Sequence, residues 1–228
     1  MIYRNEVVLE WRTRRLKQKQ SLALLGEYFL EEGLTMSYFT PDRDQALALL
    51  TEFNQNESLI RHGLAVEAVM RHFAQKFGED PEVWGLIGLV HDLDYEQFPE
   101  QHCFKCREIL TERNWPESYI RAIESHGWKL VNEVEPQSQL EKVLYTIDEL
   151  TGLIAAAALV RPSKSILDIE LKSVKKKWKE KSFAAGVNRD VIIDGAALIG
   201  MELDVVIAET ILGMQTVAET IGLKGNVA

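Results

Sequence analysis

The chain has 228 residues, 46% of them hydrophobic, enough to bury one sizeable core with appendages. A formal net charge of -9 argues against general binding to nucleic acid or a bilayer, both anionic, and favours a small soluble substrate. Two cysteines give no disulfide framework and suit a reducing compartment, no apolar run reaches the length of a membrane span, and the amino terminus lacks signal-peptide order, so a cytoplasmic location is expected.

Residues 1–40 read as an N-terminal extension. Arg12, Arg14, Arg15, Lys17 and Lys19 crowd one short piece that then turns apolar in SLALLGEYFL, and EVVLEW before it suits either a short strand or a helix start. An alternative is a start at Met36, with Thr40 as N-cap and Pro41 as the first helical residue. Residues 41–228 read as a single all-α domain, since helical periodicity dominates and segments stop on Gly, Pro or Asn. The spacing predicts helices near 43–54, 57–77, 81–92, 100–113, 116–126, 137–158, 168–180, 189–199 and 203–222. The last is apolar over much of its circumference, which fits either closure of the bundle or a homodimer face.

A residue on a helix advances about 100°, which sorts the polar side chains by face. In 57–77, His62 falls within the stripe of Leu59, Val66, Val69, Met70, Phe73 and Phe77, whereas Arg61, Glu67 and Arg71 lie off it and His72 turns toward solvent. In 137–158, Asp148 sits beside Leu144 at the apolar margin and Glu149 on the far side. His102 shares a face with Cys106 and Ile109, and His126 one with Tyr119 and Ile123. His91 and Asp92 follow directly on the apolar run GLIGLV, where an uncompensated charge costs several kcal/mol. Each histidine alone reads as an ordinary hydrogen-bonded core residue. Together, His62, His91, Asp92, His102, His126 and Asp148 place imidazoles and carboxylates on inward faces of successive helices. That set suits Fe, Mn or Zn held in the core of a helical bundle.

The ordered pattern His62, His91-Asp92 and distant Asp148 resembles the HD-domain superfamily of metal-dependent phosphohydrolases. His102 and His126 match, in order, the two extra histidines of members with a two-metal centre. The segments DELTGLIAAAALVRPSKS and ELKSVKKKWK look like a small bacterial group of uncharacterised HD proteins. The resemblance implies an HD-type bundle holding two divalent transition ions. Asp92 bridges them, with His62, His91 and Asp148 on one ion and His102 and His126 on the other, and His91 and Asp92 are central to catalysis. It also implies hydrolysis of a nucleotide or other small phosphate ester by an activated water. A mixed-valent di-iron oxygenase and a non-catalytic nucleotide sensor of the same superfamily are the rival readings. One departure stands out: where many members follow His-Asp with a small residue, Gly and Lys, this chain reads HDLDYE, with Asp94 and Tyr95 at the last two positions.

Residues 161–181 carry eight basic side chains against three acidic ones, and the KKKWKEK part of that run reads as a solvated face. Arg161 and Lys164, in the turn after the Asp148 helix, are the expected phosphate contacts. CFKC, with Cys103 and Cys106, could be a zinc half-site or a redox pair, but no second Cys pair exists and the surroundings are helical, so the pair reads as structural, with Cys106 packing beside His102. Asp94 and Glu96 are loop carboxylates expected to be solvated, with a leaving-group acid as the functional alternative.

Overall fold

The computed structural model describes residues 40–226; the expected N-terminal extension, the EVVLEW segment and the Met36 alternative lie outside them. Among the described residues the secondary structure is helical, in the order α1 (Arg43–Phe53), α2 (Glu57–Phe77), α3 (Pro81–Leu89), α4 (Phe104–Glu112), α5 (Glu117–Ser125), α6 (Gln139–Leu159), α7 (Leu171–Trp178), α8 (Arg189–Ile199) and α9 (Leu203–Gln215). A 3-10 turn, Pro99–Gln101, precedes α4. No described helix is long and apolar enough to cross a membrane.

Local chemistry fixes the starts. Asp42 and Gln45 form a reciprocal capping box at α1, so the cap is Asp42 and not Thr40, and Pro41 lies outside the helix. Asn56 caps α2, Asp80 followed by Pro81 opens α3, and Ser138 with Glu141 boxes α6. Gly78 and Gly200 take the left-handed conformation that ends α2 and α8, at φ of 73° and 77°.

The two longest helices, α2 and α6, pack on each other and carry the rest. Helix α3 lies along α2, α5 bridges α4 to α6, and α8 covers α6. Helix α9 packs on α2, α6, α7 and α8 and closes the bundle, with Val205 and Leu212 left exposed. The α2–α3 approach needs glycine: a Cβ on Gly63 would lie 2.8 Å from the Leu89 carbonyl oxygen, and one on Gly88 would lie 2.8 Å from Met70 Cγ. His72, expected in solvent, is partly buried and pairs with Glu209 at 2.6 Å, linking α2 to α9. Glu67, expected off the apolar stripe, is buried because Arg43 (2.6 Å) and Arg71 (3.1 Å) both reach its Oε1.

Candidate metal centre

Helix α3 stops at Leu89, three residues short of the predicted end. His91 Nδ1 donates to the Gly88 carbonyl at 2.8 Å, the acceptor a continuing helix would need, and tight turns follow through Gln97. His91 and Asp92 therefore sit in a loop. That loop is fastened to the α1–α2 junction. Asn54 Nδ2 donates to the Leu93 carbonyl at 3.0 Å, Gln97 Nε2 donates to the Phe53 carbonyl at 2.9 Å, and Glu96 accepts the Gln55 and Asn56 N–H groups at 2.7 and 2.9 Å. Glu96 is exposed, as expected, and in addition clamps the foot of the His62 helix.

Helix α4 begins at Phe104, later than predicted, so His102 precedes it and does not ride on its face. The cause is Asp94. Its carboxylate is fully buried; Oδ2 accepts the Cys106 N–H at 2.8 Å, closing the α4 N-terminus that Cys103 leaves uncapped, and Oδ1 accepts His102 Nδ1 at 2.8 Å. His126 is the C-cap of α5, and its Nδ1 donates to the Ile123 carbonyl.

These supports turn every ring the same way. His91, His102 and His126 each face an acceptor through Nδ1, which must carry the proton, so the neutral rings present Nε2 as a lone pair. His62 places Nδ1 3.4 Å from Thr151 Oγ1, with the same result. The four Nε2 atoms converge on Asp92. Oδ2 lies 3.7 Å from His62 and 3.4 Å from His91, while Oδ1 lies 3.4 Å from His102 and 3.5 Å from His126. Asp148 Oδ1 completes the first pair, 2.9 Å from His62 Nε2 and 3.2 Å from His91 Nε2. In the second pair, His102 Nε2 and His126 Nε2 stand 3.1 Å apart.

Lone pairs and carboxylates so arranged repel unless a proton or a cation lies between them. Metal bonds of about 2.0–2.1 Å set ligand atoms about 3.0 Å apart at right angles and about 3.4 Å apart in a tetrahedron. Most of the observed separations fall near that range, the widest being 3.7 Å between His62 and Asp92, so the donor set fits cations in both chemistry and spacing. Two groups of side chains present donors close enough to share an ion: His62, His91, Asp92 and Asp148, and His102, Cys103 and His126. Protons show the same stress. Burial pushes the His62, His102 and His126 imidazoles down, but their neighbours outweigh it and all three rise: the Asp148 hydrogen bond for His62, and the Cys103 sulfur for the other two. Burial pushes Asp92 and Asp148 up, yet the His91 ring first, then the other imidazoles, hold both well below the carboxylate range.

A family model for the HD domain matches residues 59–153. That span is an HD domain. No curated protein and no solved structure matches it. The HD superfamily is one of metal-dependent hydrolases, and the matched span runs from the start of the α2 stripe to just past Asp148. All six residues expected from the HD pattern meet around Asp92.

Arg161 and Lys164 are not brought there. Arg161 Nε donates to Asp168 Oδ1 at 3.1 Å and Nη1 to Ser173 Oγ at 3.2 Å, which ties the α6–α7 connection together, and Lys164 is exposed. The lysines of α7 form the solvated face expected, with Lys175 paired to Asp204 at 2.5 Å. Beside His62 lies a cavity of about 460 Å³, walled by Ala65, Thr151, Gly152, Ala155 and Met214, with Glu57, Ser58 and Arg61 supplying polar groups. Sequence reasoning missed this role for Arg61, which pairs with Glu57 at 2.7 Å. It also missed Glu149, whose carboxyl is pushed up to about 7 by burial and then by the Asp148 charge, while it accepts the Asn188 N–H at 3.1 Å.

Proposed function

We propose that this HD-domain protein is a metal-dependent phosphohydrolase acting on a nucleotide or other small phosphate ester. The observation that carries the reading is Asp92, which presents one oxygen to each of two imidazole pairs, as a carboxylate bridging two cations does. Ions of Fe, Mn or Zn supply Lewis acidity there and acidify a coordinated water to near-neutral pKa. His62, His91 and Asp148 hold one subsite, His102 and His126 the other, and Asp92 spans both. The Gly88 and Ile123 carbonyls and the Asp94 carboxylate keep the rings in the binding tautomer. The cavity beside His62 takes the organic part of the substrate, and Arg61, which lines that cavity, is better placed for its anionic end than Arg161, which does not. The substrate is a small phosphorylated molecule in the cytoplasm.

The test is elemental analysis of gently purified protein followed by a phosphate-release screen across nucleotides and sugar phosphates. We expect metal-dependent release, reduced at least about 100-fold in His91→Ala and Asp92→Ala, since activation of water by metal depends on both. Release by metal-free protein overturns the reading. Iron with visible absorbance and oxygen consumption assigns the di-iron oxygenase class instead, and nucleotide binding without turnover under any metal assigns a sensor.

A further inference from the structure

The second subsite holds a group that the HD pattern does not account for. Cys103 is fully buried, yet it stands outside the contiguous apolar core to which Cys106 belongs. The Cys106 sulfur rests 3.9 Å from the Val90 carbonyl oxygen, while the Cys103 sulfur lies 3.9 Å from His126 Nε2. The donor atoms of His102, Cys103 and His126 lie within 4.8 Å of one another. Room for the sulfur depends on a missing side chain: a Cβ on Gly127 would lie 2.7 Å from it. Cys103 also holds a backbone φ of 67°, sterically costly for a residue with a Cβ, and that conformation sits between His102 and the first turn of α4.

We propose that the Cys103 thiolate is a ligand of the second subsite. One half of the centre is then His62, His91 and Asp148, the other His102, His126 and Cys103, and Asp92 is shared between them. The inference rests on the cation-binding reading above. With metal–sulfur bonds of about 2.3 Å and metal–nitrogen bonds of about 2.0–2.1 Å, an S···N separation runs from about 3.1 Å at right angles to about 4.4 Å for opposed ligands. The observed 3.9 Å falls inside that range. The imidazoles are already committed, because their Nδ1 atoms are bound and their Nε2 atoms face each other at 3.1 Å with a lone pair on each. Binding releases the thiol proton to solvent. Chemically the two halves differ: the first is a nitrogen–oxygen site, whereas the second carries a soft donor and selects zinc, iron or cobalt over magnesium or manganese.

Cobalt(II) added to metal-free protein provides the test. Wild-type protein should bind two equivalents and show a near-ultraviolet sulfur-to-cobalt charge-transfer band. Cys103→Ser should lose that band while keeping the visible cobalt absorbance of the first subsite, and Cys106→Ser should keep the band. Two equivalents bound by wild type without the band, or a band that survives in Cys103→Ser, overturns the ligand assignment and leaves the two-cation reading standing. Failure to bind cobalt at all overturns both. A measurement independent of the Cys103 variant's folding uses zinc-loaded Cys106→Ser protein, in which Cys103 is the remaining thiol. X-ray absorption should show a sulfur scatterer at bonding distance, and a shell of nitrogen and oxygen alone overturns the proposal.

Discussion

Asp94 shows what one residue contributes. A single buried carboxylate orients His102 and closes the amino end of α4, so it acts on the centre without reaching the cations. Asp94→Asn keeps the shape but offers one acceptor oxygen to two N–H groups, so either His102 Nδ1 or the Cys106 N–H loses its acceptor. We expect affinity for the second ion to fall about 10–100-fold, with the first retained, by calorimetric titration of metal into metal-free protein. Five of the six pattern residues were legible in the sequence because each is polar on an apolar face or abuts an apolar run; His102 was included on a helix face that it does not occupy. Asp94 was not: its partners lie eight and twelve positions away across irregular chain, where helical periodicity carries no information. Cys103 was read as structural because the pair test looks for a second Cys-x-x-Cys, whereas its neighbours at the centre are the adjacent His102 and the distant His126. Arg61 points off the α2 stripe, and a cavity built partly by residues after α9 cannot be anticipated from one helix.

At the scale of the helix, the prediction of type and order holds from α1 to α9, because capping residues and apolar stripes agree along the chain. The boundaries moved where side chains compete for backbone groups. The His91 ring takes the Gly88 carbonyl and ends α3 early, and the Asp94 carboxylate takes the Cys106 N–H and sets where α4 begins. Contact between α2 and α3 depends on small residues, and α2 carries His62 while the chain leaving α3 carries His91 and Asp92. Gly88→Ala sets a methyl against Met70 and, 3.1 Å away, the Val66 carbonyl oxygen. Such overpacking costs about 1–3 kcal/mol. Urea denaturation should show that loss, accompanied by weaker metal binding, whereas Gly152→Ala, inside a helix and where an added Cβ meets nothing within 4 Å, should raise stability by about 0.5–1 kcal/mol.

For the molecule as a whole, the centre couples folding to protons and to metal. In metal-free protein His62, His102 and His126 titrate above their ordinary value. The stability they contribute is complete below the unfolded pKa of about 6.5 and is lost as pH climbs through the folded values. Glu149, raised to about 7, works in the same sense from its unfolded value upward. Asp92 and Asp148 are lowered, so their contribution is present above about pH 4 and is lost only below it. Metal-free protein should therefore melt highest between about pH 4 and 6, and its melting temperature should fall from there toward pH 9. Cations reverse the trend, because bound imidazoles must be deprotonated. The increment from added zinc should grow with pH, reaching about 2.7 kcal/mol for each ion bound at a free concentration 100 times its Kd. Thermal scans with and without chelator check both signs.

The clamp made by Glu96 has a kinetic consequence. Because its carboxylate holds the Gln55 and Asn56 amides, the loop bearing His91 and Asp92 cannot lift away without freeing the first turn of the helix beneath His62. Ion escape and deuterium uptake at those two amides should then be one opening event, with a shared rate in the loaded protein. Should the amides exchange much faster than the ion leaves, loop and helix breathe separately.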